Sequence, residues 1–349
     1  MSFKVSAIAA AVFTFLVTAC GGGAEPATPV TPTASSGTAV DGYISFAKVT
    51  CDSNDNGIAD SAEPFVYTLD NGRYTFVNGC AHGVILVGGT STDTKQPFIG
   101  LLKAPAGASF TTPLTTLISA GMSPTQVASA LGLANGTDVT QVDPAAATAG
   151  GALVNADLYK KTLATQYLFQ KTTEIFAALG STNGSAALQS VYDQVAISVA
   201  SSLKAGGLTL ASGTQTFGEN TVAAIIQQAA KDVAGSAFIS TNIKSAVSTL
   251  NPAALAAAAA AALKAQADTI LSGSGVTDIV VAATTAQSDT KLANAIVEAK
   301  SKLTTALDLP GVGTLGLVHA DRHVADELLL EALLDHAGGE FLATLAGKR

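Results

Sequence analysis

The residues with the clearest chemical purpose are Asp52-Ser-Asn-Asp-Asn-Gly-Ile-Ala-Asp-Ser-Ala-Glu63, which fit the pattern D-x-[DN]-x-[DN]-G-x5-E at every position. That spacing wraps a chain around one calcium ion with oxygen ligands only. Asp52, Asn54 and Asn56 supply side-chain oxygens at positions 1, 3 and 5, and Ile58 supplies its backbone carbonyl at position 7. Asp60 at position 9 acts directly or through water, and Glu63 closes the shell with two oxygens. Gly57 falls where the chain turns sharply and a side chain would be strained. Asn, Asp and Gly also favour metal-free turns. The complete match and the terminal Glu63 favour a structural Ca2+ site.

Other candidates are weaker. The sequence holds no G-x-S-x-G elbow, no Gly-rich phosphate loop and no H-E-x-x-H, so it offers no catalytic constellation. Carboxylates that hold calcium stay ionised and make poor general acids, which leaves Asp52, Asp55, Asp60 and Glu63 with no catalytic role. His82 stands alone in a Gly-rich turn beside Cys80 and reads as a surface residue. His319, His323 and Glu327, with Glu331 and Asp335 in line, share one face if helical. Two imidazoles and a carboxylate can bind zinc, but no thiol is at hand as a fourth ligand, so a solvated polar face is the expectation. Tyr43, Tyr67 and Tyr74 could face a sugar; strand-spaced tyrosines more often form core or cross-strand pairs.

The N-terminus is an address rather than a fold element. Lys4 precedes an apolar run from Val5 to Val17, which is short for a membrane span of about 20 residues. Val17-Thr18-Ala19-Cys20 resembles the lipobox of bacterial lipoproteins. The resemblance implies cleavage before Cys20, a diacylglyceryl thioether on its sulfur, and a location in the outer membrane or at the cell surface. Gly21 rather than Asp follows, so no inner-membrane retention signal is expected. Pro26, Pro29 and Pro32 lie among Ala, Thr and Ser, the composition of a flexible tether over 20–38. With Cys20 carrying lipid, Cys51 and Cys80 form an even pair in an oxidising compartment. They are either two buried thiols or a disulfide joining the strand before the calcium loop to one after it, and the second reading is preferred. The net charge of −8 and the want of a basic patch exclude nucleic acid as a partner.

These residues need elements to hold them. Tyr43, Ile44, Phe46, Val49 and Cys51 form a β-rich run that the loop interrupts. Residues 64–68, 73–77 and 83–88 are further strands, with Asp70-Asn71-Gly72 as a hairpin turn between the first two. From about Thr112 the pattern is helical. Ser123-Pro124-Thr125-Gln126 is a capping box with Gly132 as terminator. Apolar stripes at helical spacing follow: Leu163 to Leu179, Leu188 to Leu203, Val222 to Val233 and Leu292 to Ala306. Asn251-Pro252 caps a run containing Ala256–Ala262, which has high helix propensity but is too short and too weakly hydrophobic to cross a membrane. The expected fold is α+β: a small antiparallel β-sandwich with an EF-hand-like calcium loop at 39–110, then an alanine-rich α-helical bundle at 111–316. A helical tail at 317–349 is set apart by its changed arginine and histidine use.

Val40-Asp41-Gly42-Tyr43-Ile44, the loop ending Ala62-Glu63-Pro64, and Thr68 to Tyr74 together resemble the B-type repeat of bacterial surface adhesins. That module is similar to the carboxypeptidase-regulatory-like β-sandwich. The likeness covers a minority of the chain and departs from the family at Phe46, where Gly is common, and at Cys51, where an apolar residue is usual. It implies a calcium-rigidified stalk. The expected role is that of a lipid-anchored surface protein in adhesion or in envelope or matrix assembly, with membrane, protein or glycan as partners. The alternative is a secreted carbohydrate-binding or hydrolase-accessory lipoprotein.

Overall fold

The computed structural model describes residues 34–180, 185–205, 208–211, 217–294 and 296–297. The fold is mixed α+β, with nine short strands followed by eight helices among the described residues. The strands are β1 (Ser35–Ala39), β2 (Ile44–Ser45), β3 (Lys48–Cys51), β4 (Phe65–Tyr67), β5 (Arg73–Phe76), β6 (Val84–Val87), β7 (Thr90–Ser91), β8 (Leu101–Ala104) and β9 (Phe110–Thr111). One sheet runs β4-β3-β6-β8, all antiparallel; a second runs β5-β1-β9; β2 and β7 form a third pair.

Three expectations change. The sheets are not wholly antiparallel, because β1 pairs parallel with β9. The Asp70-Asn71-Gly72 turn forms, with backbone bonds from Gly72 to Leu69 (2.9 Å) and from Leu69 to Arg73 (2.8 Å). Yet it joins two sheets rather than two paired strands: β4 pairs with β3, and β5 with β1. The chain turns the corner so that both sheets can enclose the same apolar residues. Finally, β1 takes in residues 35–38, which composition assigned to the tether. Its Ser, Thr and Gly residues carry little hydrophobic signal. Gly37 is there because the Tyr74 ring closes on it, and a Cβ would sit 2.3 Å from the tyrosine oxygen.

The four-stranded sheet has two different faces, as strand alternation requires. Val49, Cys51, Val84, Leu86, Leu102 and Ala104 point into a small core shared with Ala39, Tyr74 and Phe76 of the other sheet. Ile85 and Leu101 point the other way, into the larger core of the helices. The β8 edge is covered by helix α1 (Pro113–Ser119). The Thr116 hydroxyl accepts from the Lys103 amide (2.9 Å) and the Thr115 hydroxyl donates to the Lys103 carbonyl (2.8 Å). The unpaired backbone of an edge strand is thereby satisfied and hidden.

The remaining helices are α2 (Pro124–Ala130), α3 (Ala156–Leu179), α4 (Ser185–Lys204), α5 (Glu219–Gly235), α6 (Thr241–Ser248), α7 (Pro252–Ser272) and α8 (Val276–Ser288). The Ser123–Gln126 capping box is present in both directions, at 3.1 and 2.8 Å. Asn251 caps α7 through the Ala253 amide at 2.9 Å. The expected stripes from Leu163 to Val233 lie on buried helix faces, except that Leu188 is only half-buried. Ile296 is buried too; Ala299, Leu303 and Ala306 lie outside the described residues. Helix α3 is central and packs on α1, α4, α6, α7 and α8. That burial draws in two lysines that must find partners. Lys171 Nζ bonds Glu174 (2.7 Å) and the carbonyls of Gln287 (2.6 Å) and Asp289 (2.7 Å), tying α3 to the end of α8. The alanine run lies in α7, whose full length and composition would suffice to cross a membrane. Here Ala256, Ala259, Ala260 and Leu263 are buried inside the protein, mainly against α5.

Candidate metal centre

The Asp52–Glu63 loop leaves β3 and returns to β4, so both of its ends are fixed by adjacent strands of one sheet. A disulfide between Cys51 and Cys80 pins the last residue of β3, just before the loop, to the turn before β6, with Cα atoms 5.8 Å apart. Cys80 thus lies in a connection rather than a strand.

Inside the loop the side chains turn inward onto the backbone. Asp52 accepts from the amides of Asn56 (3.0 Å) and Gly57 (2.8 Å). Glu63 accepts from Ser53 (2.7 Å) with one oxygen and from Asp60 (3.0 Å) with the other. Both carboxylates are buried. Asn54 and Asn56 each donate a side-chain amide hydrogen to the same oxygen of Asp60, both at 2.9 Å. Those two bonds hold the Asp60 carboxyl below the ordinary carboxylate range, Asn54 contributing most. Asp55 and Gly57, at positions 4 and 6, take left-handed backbone angles of +56° and +75°. Aspartate tolerates that region better than most residues, and glycine is free to adopt it.

The head groups of positions 3, 5 and 9 therefore converge on one point, between an acid at position 1 and another at position 12. Asp52, Asp60 and Glu63 bring carboxylate oxygens, the hard donors calcium prefers, while Asn54 and Asn56 turn amide nitrogens to Asp60 and their oxygens to the amides of Asn56 and Ile58. Asn54, Asn56 and Asp60 would hold the ion with Asp52, Glu63 and the Ile58 carbonyl, provided the two amides present oxygen rather than nitrogen. Among the described residues no group of three or more His, Cys, Asp or Glu side chains is placed to hold a metal. Two of the five loop side chains are amides, and the carboxylates of Asp52 and Glu63 are engaged with backbone amides. A bound ion would replace the Asn54–Asp60 and Asn56–Asp60 bonds, not an apolar packing. The residues present fit calcium.

Elsewhere the other candidates separate. His82 is exposed. Tyr74 is buried and bonded to Thr111 (2.8 Å), and the Tyr43 hydroxyl donates to Asp143 (2.8 Å), so neither is offered to a sugar. Tyr67 is exposed and meets Phe65 edge to face, their centroids 5.8 Å apart. Cys20, His319, His323, Glu327, Glu331 and Asp335 lie outside the described residues.

Two features escaped the sequence. Asp41, just after β1, is buried, and its Oδ1 has no hydrogen-bond partner. Burial, then the charge of Asp93, pushes its carboxyl up to about 8. Asp93 itself accepts from the Tyr159 hydroxyl of α3. No local signal in the sequence pairs positions 41 and 93. The second feature is a cleft of about 1250 Å3 between the Asp52–Glu63 loop, the four-stranded sheet and helix α4. Lys103 and Asp193 form an ion pair of 2.6 Å between two of its walls.

Comparison with family models, with curated proteins and with solved structures found no match to this chain.

Proposed function

We propose that this chain is a lipid-anchored protein of the bacterial outer membrane or cell surface, whose β-sandwich module is made rigid by calcium in the Asp52–Glu63 loop. It serves adhesion or the assembly of envelope or matrix. The observation that carries the reading is the convergence of Asn54, Asn56 and Asp60 on one point, with Asp52 and Glu63 closing the loop. The disulfide beside the loop is at home in the oxidising compartment that the Cys20 lipobox implies. A shared apolar core between two sheets supports the sandwich.

A divalent ion would supply positive charge to a loop that carries four acids, Asp52, Asp55, Asp60 and Glu63. The chain's own part is to hold the ligands ready through the backbone amides of Ser53, Asn56, Gly57 and Asp60. Ordering the loop then couples β3 to β4, and stability rises with calcium by mass action, about 2.7 kcal/mol at a hundredfold excess over Kd.

The test is calcium titration by calorimetry on EDTA-stripped protein beginning at residue 21, with a parallel thermal melt. One site of micromolar to millimolar affinity, with a raised melting temperature, is expected. The Asp52→Ala, Glu63→Ala double variant should show the same melting temperature with and without calcium. Absence of binding heat in the parent chain, or an equal calcium shift in the variant, would remove the calcium reading.

A further inference from the structure

The cleft beside the loop has a composition of its own. Its floor is the helix-facing side of the four-stranded sheet, where Lys48, Val87 and Leu101 form one cross-strand row, and Ile85 and Lys103 lie in the next. Strand β4 extends the same rows with Tyr67 and Phe65, which are 60% and 49% exposed. The opposite wall is helix α4, which presents Gln189, Asp193 and Ile197 at helical spacing, with Gln194 beside them. Phe238, 76% exposed, also lines the cleft.

The charges on these walls are largely spoken for. Lys103 is paired with Asp193 at 2.6 Å, and Lys48 Nζ lies 4.5 Å from the centre of the Phe65 ring. What remains is acidic, Asp52 and Asp55 of the loop, so an anion is not favoured. By contrast, the side-chain amides of Gln189 and Gln194 make no hydrogen bond among the described residues. Free amides can donate and accept at once. Exposed aromatic rings offer flat apolar faces. Together they match a pyranose, whose C–H face is apolar and whose hydroxyls pair in both directions. The volume exceeds the ~300–1,000 Å3 of sites for single small ligands, which suits a chain of sugars.

We propose that the cleft binds an uncharged oligosaccharide, with Gln189 and Gln194 reading hydroxyls, Phe238 stacking on a sugar ring in the cleft, and exposed Tyr67 of the adjoining strand β4 stacking on a ring beyond its rim. This names the partner class for the surface role proposed above and rests on that reading for where the glycan is met.

The experiment applies calcium-loaded protein beginning at residue 21 to an array of neutral oligosaccharides, acidic oligosaccharides and peptides, with a melt with and without calcium on the same sample. Binding to neutral oligosaccharides is expected, weakened about fivefold or more in each of Phe238→Ala, Tyr67→Ala and Gln194→Ala, at unchanged melting temperature. These side chains are exposed or line open space, so the variants keep the fold. Binding to none of the oligosaccharides, preference for acidic glycans or for peptides, or affinity unmoved by all three substitutions overturns the proposal. A calcium shift with no glycan bound removes this inference alone. Glycan bound with no calcium shift removes the calcium reading alone.

Discussion

Asp41 gives the sharpest quantitative expectation. Its carboxylate is buried at the junction of the strands and α3, with Oδ1 unpartnered, Asp93 beside it, and the hydroxyls of Tyr159, Tyr43 and Tyr192 in the same surroundings. Among the described residues no lysine, arginine or histidine contributes to its shift from 3.8 to about 8. The unfolded chain loses this proton near the ordinary aspartate value, and the folded chain keeps it to about 8. Between those values the folded state binds one proton more, so stability is full below about 4 and is lost as pH rises through about 8. The limiting slope is about 1.4 kcal/mol per pH unit. Hydration and relaxation around the ionised group leave that slope unchanged and shorten the span of pH over which it acts, to about half of the three units between pH 5 and pH 8. Asp41→Asn keeps the shape, removes the ionisation, and can donate to Asp93. Urea unfolding followed by far-UV circular dichroism at pH 5, 6, 7 and 8, at fixed ionic strength, reads the difference. The variant should match the parent near pH 5 and exceed it by about 2 kcal/mol at pH 8. Parallel pH profiles for the two proteins would refute the buried-proton account.

Other consequences follow from single contacts. Replacing Cys51 and Cys80 by serine opens a loop of sequence separation 29 and should lower stability by about 3–4 kcal/mol in the chain-entropy model, read by denaturant midpoint. An unchanged midpoint would mean the unfolded chain gains nothing from the cross-link. Gly37→Ala places a methyl 2.3 Å from the Tyr74 oxygen and should destabilise by about 1–3 kcal/mol; a neutral result would mean Tyr74 moves freely. Thr116→Val takes away the acceptor for the Lys103 amide and should lower the melting temperature, a loss of about 1–3 kcal/mol; retained stability would show that water replaces the hydroxyl.

Local chemistry in the sequence was enough for the loop, the caps and most helices. A glycine at position 57, acids and amides at fixed offsets and a capping box each depend on neighbours within a dozen residues. Residue order alone therefore positions Asp52 to Glu63, Ser123 to Gln126 and the stripes from Leu163 to Val233. The alternation of Val49, Leu86 and Leu102 against Ile85 and Leu101 hints at a two-faced sheet but does not say what covers each face.

Only the tertiary structure decided which strands pair. The turn at Asp70–Gly72 looks like a hairpin from its residues, yet the gain from enclosing Tyr74 and Phe76 with Val49 and Leu86 sends β5 to another sheet. The parallel β1–β9 pair joins segments some seventy residues apart, which no periodicity encodes. The same holds for Asp41 and Asp93, for Lys103 and Asp193, and for the cleft that α4 completes. Each arises where distant segments are brought together by burial of apolar surface. That force is non-directional, so the sequence shows which residues must be buried without showing which others they will meet.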